Sequence, residues 1–181
     1  MLKKIILATI FILCMMFVQN TFAAMQFNYQ AHVQNIGWTK SVGDGGIVGT
    51  TGQNLRMEAV MINLMDGTKN MIQYCGHVEN VGWMGWQISG GVVGTTGKNL
   101  RLEAIRIKLV NGYDQKYDIY YRTHVQNGGW LGWAKNGEPA GTQGASLRME
   151  ALQIRLVPKG QKFNRGGEAF YLKDNYAGAN M

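Results

Sequence analysis

Every histidine and every tryptophan of this 181-residue chain recurs at a fixed place: His32, His77 and His124; Trp38, Trp83 and Trp130; and, in two copies only, Trp86 and Trp133. Saccharides present apolar C–H faces and hydroxyl groups, and an exposed indole beside an amide suits both. Asn35, Asn80 and Asn127 stand three residues before the first tryptophan of each set and supply such amides. The competing reading places Trp38, Trp83 and Trp130 in the core, where aromatic side chains supply much of a small domain's apolar area, and this is the expectation for them. Trp86 and Trp133 follow a glycine at a strand start and stand open between core and surface. Three imidazoles brought to a common axis would make a three-nitrogen metal site. Alternation instead sets each histidine opposite Val33, Val78 or Val125, on an outer face where it can bond a turn. Repetition copies structural residues as readily as ligands, so the expectation is no metal and no cofactor.

Catalysis needs groups with distinct roles, such as two carboxylates tuned apart or a nucleophile beside its base. The repeated carboxylates here are equivalent to one another: Glu58, Glu103 and Glu150 each follow an arginine, Arg56, Arg101 or Arg148, by two residues. Such a pair reads as a structural ion pair. Cys75 aligns with Gln30 and Arg122, so its position reads as tolerant and exposed. The chain is therefore expected not to be an enzyme.

The elements that position these residues come from one unit occurring three times without a gap, over residues 29–64, 74–109 and 121–156, at offsets of 45 and then 47 residues. A fixed period of this length is the sequence signature of a repeat architecture. In the second copy the period is two and Val, Ile, Trp and Thr abound, which predicts strands over 74–79, 83–88, 92–95 and 100–110. Turns fall at Asn80-Val81-Gly82, Ser89-Gly90-Gly91 and Gly97-Lys98-Asn99. Alternation in the last strand puts Glu103, Ile105, Ile107 and Leu109 on the core face, with Ala104, Arg106 and Lys108 opposite. The fold class is all-β. Units of about 46 residues cannot each bury a core alone, so three should pack around a pseudo-threefold axis as a β-prism, with a β-trefoil as the alternative.

Lys3 and Lys4, an apolar run over 5–18 and Ala23 predict a secretory signal peptide over residues 1–23. The run is too short to span a bilayer and nothing later approaches it, so the expectation is an exported chain with no transmembrane segment. Residues 24–160 then form a single domain and 161–181 a tail. Removing Lys3 and Lys4 lowers the formal charge from +7 to +5. The basic residues are dispersed and no recognition motif accompanies them, which argues against nucleic acid. Cys75 is the single cysteine after residue 23, so stability rests on packing rather than an internal disulfide.

The motif HVxNxGW, followed by GTTGxxLRxEA and an alternating Ile/Leu tail, resembles the ChW repeats, the clostridial hydrophobic repeats with a conserved tryptophan. His, Gly-Trp, Leu-Arg and Glu-Ala stand in all three copies. The resemblance implies an extracellular protein of a Gram-positive anaerobe, from a group proposed to act in surface assemblies, adhesion or polysaccharide binding, and it carries no catalytic residues. The expected function is a secreted, lectin-like binding module for a polysaccharide or cell-wall glycan. The alternative is a protein-interaction or adhesion component that docks surface proteins. The first copy has Ser41 where the others have Trp86 and Trp133, and is expected to be the weakest site.

Overall fold

The structure, a computed structural model, describes residues 25–173. The signal peptide read over 1–23 lies outside the described residues.

In each repeat the first long strand pairs antiparallel with the last. These pairs are β1 (Phe27–Val33) with β4 (Met57–Leu64), β5 (Ile72–Val78) with β9 (Leu102–Leu109), and β10 (Tyr117–Val125) with β14 (Met149–Pro158). The Gly-Trp dipeptides fold back on the first strand as β2 (Gly37–Trp38), β6 (Gly82–Trp83) and β11 (Gly129–Trp130). The second predicted strand is thus real but interrupted: pairing resumes only at β7 (Gln87–Ile88) and β12 (Ala134–Lys135), and in the first copy as a single bridge from Tyr29 to Val42. A four-residue helix, α1 (Tyr113–Lys116), joins β9 to β10.

No repeat completes its own sheet. The glycine-rich strands β3 (Ile47–Gly49), β8 (Val92–Gly94) and β13 (Ala140–Gln143) pair with β14, β4 and β9, so each is lent to the sheet of another copy. The loan runs from first to third, second to first and third to second, which closes a cycle. Glycine is required where the strands cross: at Gly49, Gly94 and Gly141 the backbone is left-handed, with φ of 93°, 101° and 118°. An added Cβ would lie 2.2, 2.2 and 2.3 Å from the carbonyl oxygens of Glu150, Glu58 and Glu103.

The core is the inward face of the three sheets, and three tyrosines tie it across the same seams. Tyr29, Tyr74 and Tyr121 are wholly buried. The Tyr29 hydroxyl accepts from the Ile154 amide at 3.0 Å and donates to the Gly46 carbonyl. Tyr74 accepts from Ile62 at 3.1 Å and donates to Gly91, and Tyr121 takes a backbone bond from Ile107 and donates to Glu138.

Burial pushes the Tyr29 and Tyr74 hydroxyls up to about 12 and also raises Tyr121. An unfolded tyrosine ionises near pH 10. A group whose pKa is raised by folding contributes stability that is whole below the unfolded value and lost as pH climbs through the folded one. Unfolding should therefore release up to three protons between pH 10 and 12, and the unfolding free energy should fall by as much as about 4 kcal/mol per pH unit there. Urea melts at stepped alkaline pH, with phenolate absorbance followed alongside, test this. The expectation is lost if all eight tyrosines ionise near pH 10 while the protein stays folded.

Candidate functional site

The outer face of each sheet is set by one irregularity. Pairing registers shift between His32 and Val33, His77 and Val78, and His124 and Val125, leaving Glu58, Glu103 and Glu150 as extra residues on the long strand. Such a bulge turns the strand by one side chain. Glu103 therefore leaves the core face that simple alternation gives it, while Leu102 takes its place inside. The carboxylates are 5 % exposed at the side chain and stand 3.0, 3.1 and 3.1 Å from Nδ1 of His32, His77 and His124. The expected arginine pair forms in every copy, with Nε of Arg56, Arg101 and Arg148 donating to the glutamate at 2.9, 3.0 and 3.0 Å. The edge of each Gly-Trp indole meets the histidine ring, with centroids 5.5, 5.5 and 5.6 Å apart. Each sheet thus carries an outward row of indole, imidazole, carboxylate and guanidinium.

This placement corrects several expectations. Trp38, Trp83 and Trp130 are not core residues: cross-strand pairing with the histidines sets them on the outer face, where Trp38 is 38 % exposed and the other two are half-buried. The histidines face the bulged glutamate rather than a turn: His32 hydrogen-bonds it, and Nδ1 of His77 and His124 lies 3.1 Å from the carboxylate. They stand one to a sheet, each engaged with its own carboxylate, and are not gathered; among the described residues no group of three metal-ligating side chains forms. Asn35, Asn80 and Asn127 are exposed in left-handed backbone, with φ of 63°, 60° and 61°, inside turns closed by the amides of Ile36, Val81 and Gly128 on the carbonyls of Val33, Val78 and Val125. Asparagine tolerates that conformation, so its recurrence is explained by the turn. Cys75 is only 3 % exposed, because it lies across the ladder from Arg106, whose guanidinium lies over Trp83 at 4.4 Å. Burial raises its thiol pKa against the opposing pull of Arg106 and Lys108, which leaves it a poor nucleophile.

The three faces differ in what accompanies the indole. At the cross-strand position beside it stand Gln30 with Met61, Cys75 with Arg106, and Arg122 with Gln153. The second and third copies therefore hold an arginine against tryptophan, and the first does not. Trp86 is 42 % exposed with the Lys108 ammonium 4.3 Å from its ring centroid. The Trp83 indole N–H donates to Gln143 of the third copy at 3.1 Å. Across the seams Asn99 accepts from Arg56 at 2.9 Å and Asn54 accepts from Arg148 at 3.3 Å. The third seam has Ser146 in that place, and Arg101 turns instead to Glu79, where the other copies have Gln34 and Gln126.

Trp133 is covered, and the tail covers it. Phe163 stacks on Tyr120 with centroids 4.2 Å apart and meets Trp133 edge-on at 5.2 Å. The Trp133 amide donates to the Arg165 carbonyl at 2.8 Å, the Gly132 amide to Glu168 at 2.8 Å and the Gly141 amide to Ala169 at 2.9 Å. The tail then runs as β15 (Phe170–Leu172) parallel to β13. At Gly132 an added Cβ would fall 1.8 Å from the Gly167 carbonyl oxygen, whereas the equivalent Gly85 of the second copy faces open space. The aromatic content of the tail is visible in sequence, but its landing place is not.

Among the described residues no helix is long and apolar enough to cross a membrane. No curated protein and no solved structure matches the chain. The family model described as Clostridial hydrophobic W matches residues 32–66, 77–111 and 124–158, and each match begins on the histidine of its repeat. Three matches in tandem span more than half of the sequence, and the chain belongs to the ChW family.

Proposed function

We propose that the chain is a secreted, non-enzymatic module whose three sheets, set as a β-prism about a pseudo-threefold axis, bind a cell-surface or environmental polysaccharide. One observation carries this reading: each sheet turns an indole outward and fixes it from behind by the histidine, glutamate and arginine row. Trp38 is the most exposed of these rings, and Trp86, which lies outside the row against Lys108, is more exposed still. An indole held in one orientation offers a flat apolar face without the entropy cost of ordering it on contact. The ring of Trp86 is bordered by the Lys108 ammonium, a charge that favours a hydroxyl-rich partner over an apolar protein surface. Each repeated carboxylate is tied to an arginine and faces a histidine, a structural role in keeping with a binding module. Three related faces on one body raise avidity for a repetitive polymer even where each is weak.

Pull-down of the chain from residue 24 onward on a panel of insoluble polysaccharides and cell walls tests the proposal. Retention on at least one polymer is expected. Trp86→Ala should weaken it by roughly tenfold, the effect of truncating one aromatic anchor, with circular dichroism showing an intact fold. Retention on none sinks the saccharide reading and favours docking of surface proteins.

A further inference from the structure

Resting on that reading, we infer that the third repeat carries a separate site, walled by the C-terminal segment, for a carboxylate-bearing sugar residue, with Arg122 as its anion-binding group.

The site is a cleft of about 480 Å³ between the outer face of the third sheet and residues 164–168 of the tail. Arg122, Trp130 and Trp133 line one side of it, and Arg165, Glu168 and Tyr171 the other. The Arg122 guanidinium lies 4.6 Å from the Trp130 ring centroid and 4.7 Å from that of Trp133. Its Nε donates to the Gln153 side chain at 2.9 Å, which fixes the plane of the group. Two indoles and one amide thus hold the fork in a single orientation before any ligand arrives, the preorganisation that lets arginine take a carboxylate bidentately.

Charge supplies the second argument. Among the described residues Arg56, Arg101, Arg148, Arg155 and Arg165 each stand within ion-pair distance of a carboxylate. Arg122 has none. Burial holds its pKa below the ordinary guanidinium value. A cation that is half-buried against aromatic rings and lacks a counter-ion is completed by an anionic ligand. Arg165 is already committed to Glu138, and Glu168 is the one acid lining the cleft. The unpaired Arg122 can take one carboxylate, while Glu168 in the same lining disfavours a densely charged polyanion. The flanking indoles suit the C–H face of the sugar ring that bears it.

The other copies cannot form this site. Gln30 and Cys75 replace Arg122, and among the described residues the tail packs on the outer face of the third copy, at Gly132, before β15 joins β13 at the edge of the second copy's sheet.

Titration with a galacturonate tetrasaccharide, followed by calorimetry and tryptophan fluorescence, tests the inference, with the methyl-esterified tetrasaccharide as the uncharged control. Saturable one-to-one binding of the acid form is expected, with the ester at least roughly tenfold weaker, since a charge-assisted bidentate pair is lost. Arg122→Gln should lower affinity for the acid form by a similar factor. Gly132→Ala, whose added methyl group meets the tail backbone at Gly167, should do the same, while Gly85→Ala should leave binding unchanged. All three variants should keep their retention on insoluble polymer. Equal binding of acid and ester, or undiminished binding by a folded Arg122→Gln, overturns the inference. So does absence of uronate binding in a protein still retained on an insoluble polymer, and that outcome leaves the platform reading standing. Failure on every polymer and on the uronate overturns both.

Discussion

Replacing Gly94 by alanine should cost roughly 2–5 kcal/mol of stability, combining left-handed strain with forced displacement in a packed interior. The added methyl group would meet the Glu58 carbonyl oxygen at 2.2 Å and the Ala59 Cα at 2.7 Å, and both belong to the backbone of another repeat. Neither can rotate away, so strand β8 must lift from β4 and the seam between the first two copies opens. Gly97→Ala separates the two causes, because Gly97 shares the left-handed backbone, with φ of 70°, but has no atom within 4 Å of an added Cβ. It should lose only the conformational part, about 1–2 kcal/mol. Urea denaturation of the two variants against the parent measures the difference. Equal losses would show that the close approach at Gly94 contributes nothing and that the exchanged strand is loosely held.

The cost at one glycine follows from the exchange, and the exchange is the part of the fold that the sequence conceals. The strands themselves are legible. A period of two with Leu and Ile over 102–109 and glycine-bounded ends over 92–94 locate β9 and β8 to within a residue or two. Their partners are not, because Val92-Val93-Gly94 would satisfy any edge of suitable twist, and only the closure of three units on one another selects β4. The same limit governs the bulge. One unpaired residue at Glu103 leaves the local pattern of types unchanged yet moves the glutamate from the core to the outer face.

That displacement explains why the site was only half legible. The recurrence of His77, Trp83, Arg101 and Glu103 marks a unit with one purpose, and the arginine and glutamate pair is readable from spacing alone. The meeting of histidine with glutamate requires the bulge, and the exposure of Trp83 requires its pairing with His77 rather than with the core. Asn80 recurs for a different reason. Its repetition is as strict as that of the tryptophan, but backbone conformation at φ of 60° accounts for it. Arg122 shows the reverse error. It recurs nowhere, so a reading built on repetition passes over it, although its isolation between two indoles is what makes the third face distinct.

The second large effect is expected where the cycle departs from its own rule. Arg101 joins two carboxylates, Glu79 and Glu103, because Ser146 cannot supply the amide that Asn99 and Asn54 give to Arg56 and Arg148. Arg101→Met keeps the aliphatic stem and removes the charge, leaving a nearly buried Glu103 beside Glu79 with the His77 ring as its remaining polar neighbour. Breaking a buried pair by removing one member typically costs about 3–5 kcal/mol, and repulsion between the two acids adds to it. Arg56→Met in the first copy also strands a buried carboxylate, but Gln34 stands where Glu79 would be and no second acid faces it. Arg101→Met should therefore be the more damaging of the two by about 1 kcal/mol, a typical coupling between charged neighbours. Adding Glu79→Gln to Arg101→Met removes the like charge and should recover that difference, although Glu79→Gln alone, which deletes a favourable pair, should destabilise the parent. A change of sign for one substitution in two backgrounds is not produced by a general loss of packing. Chemical denaturation of the four proteins of this cycle decides it: if Glu79→Gln destabilises in both backgrounds, Glu79 is held by contacts other than Arg101, and the pairing of Ser146 with Glu79 as one compensated change is wrong.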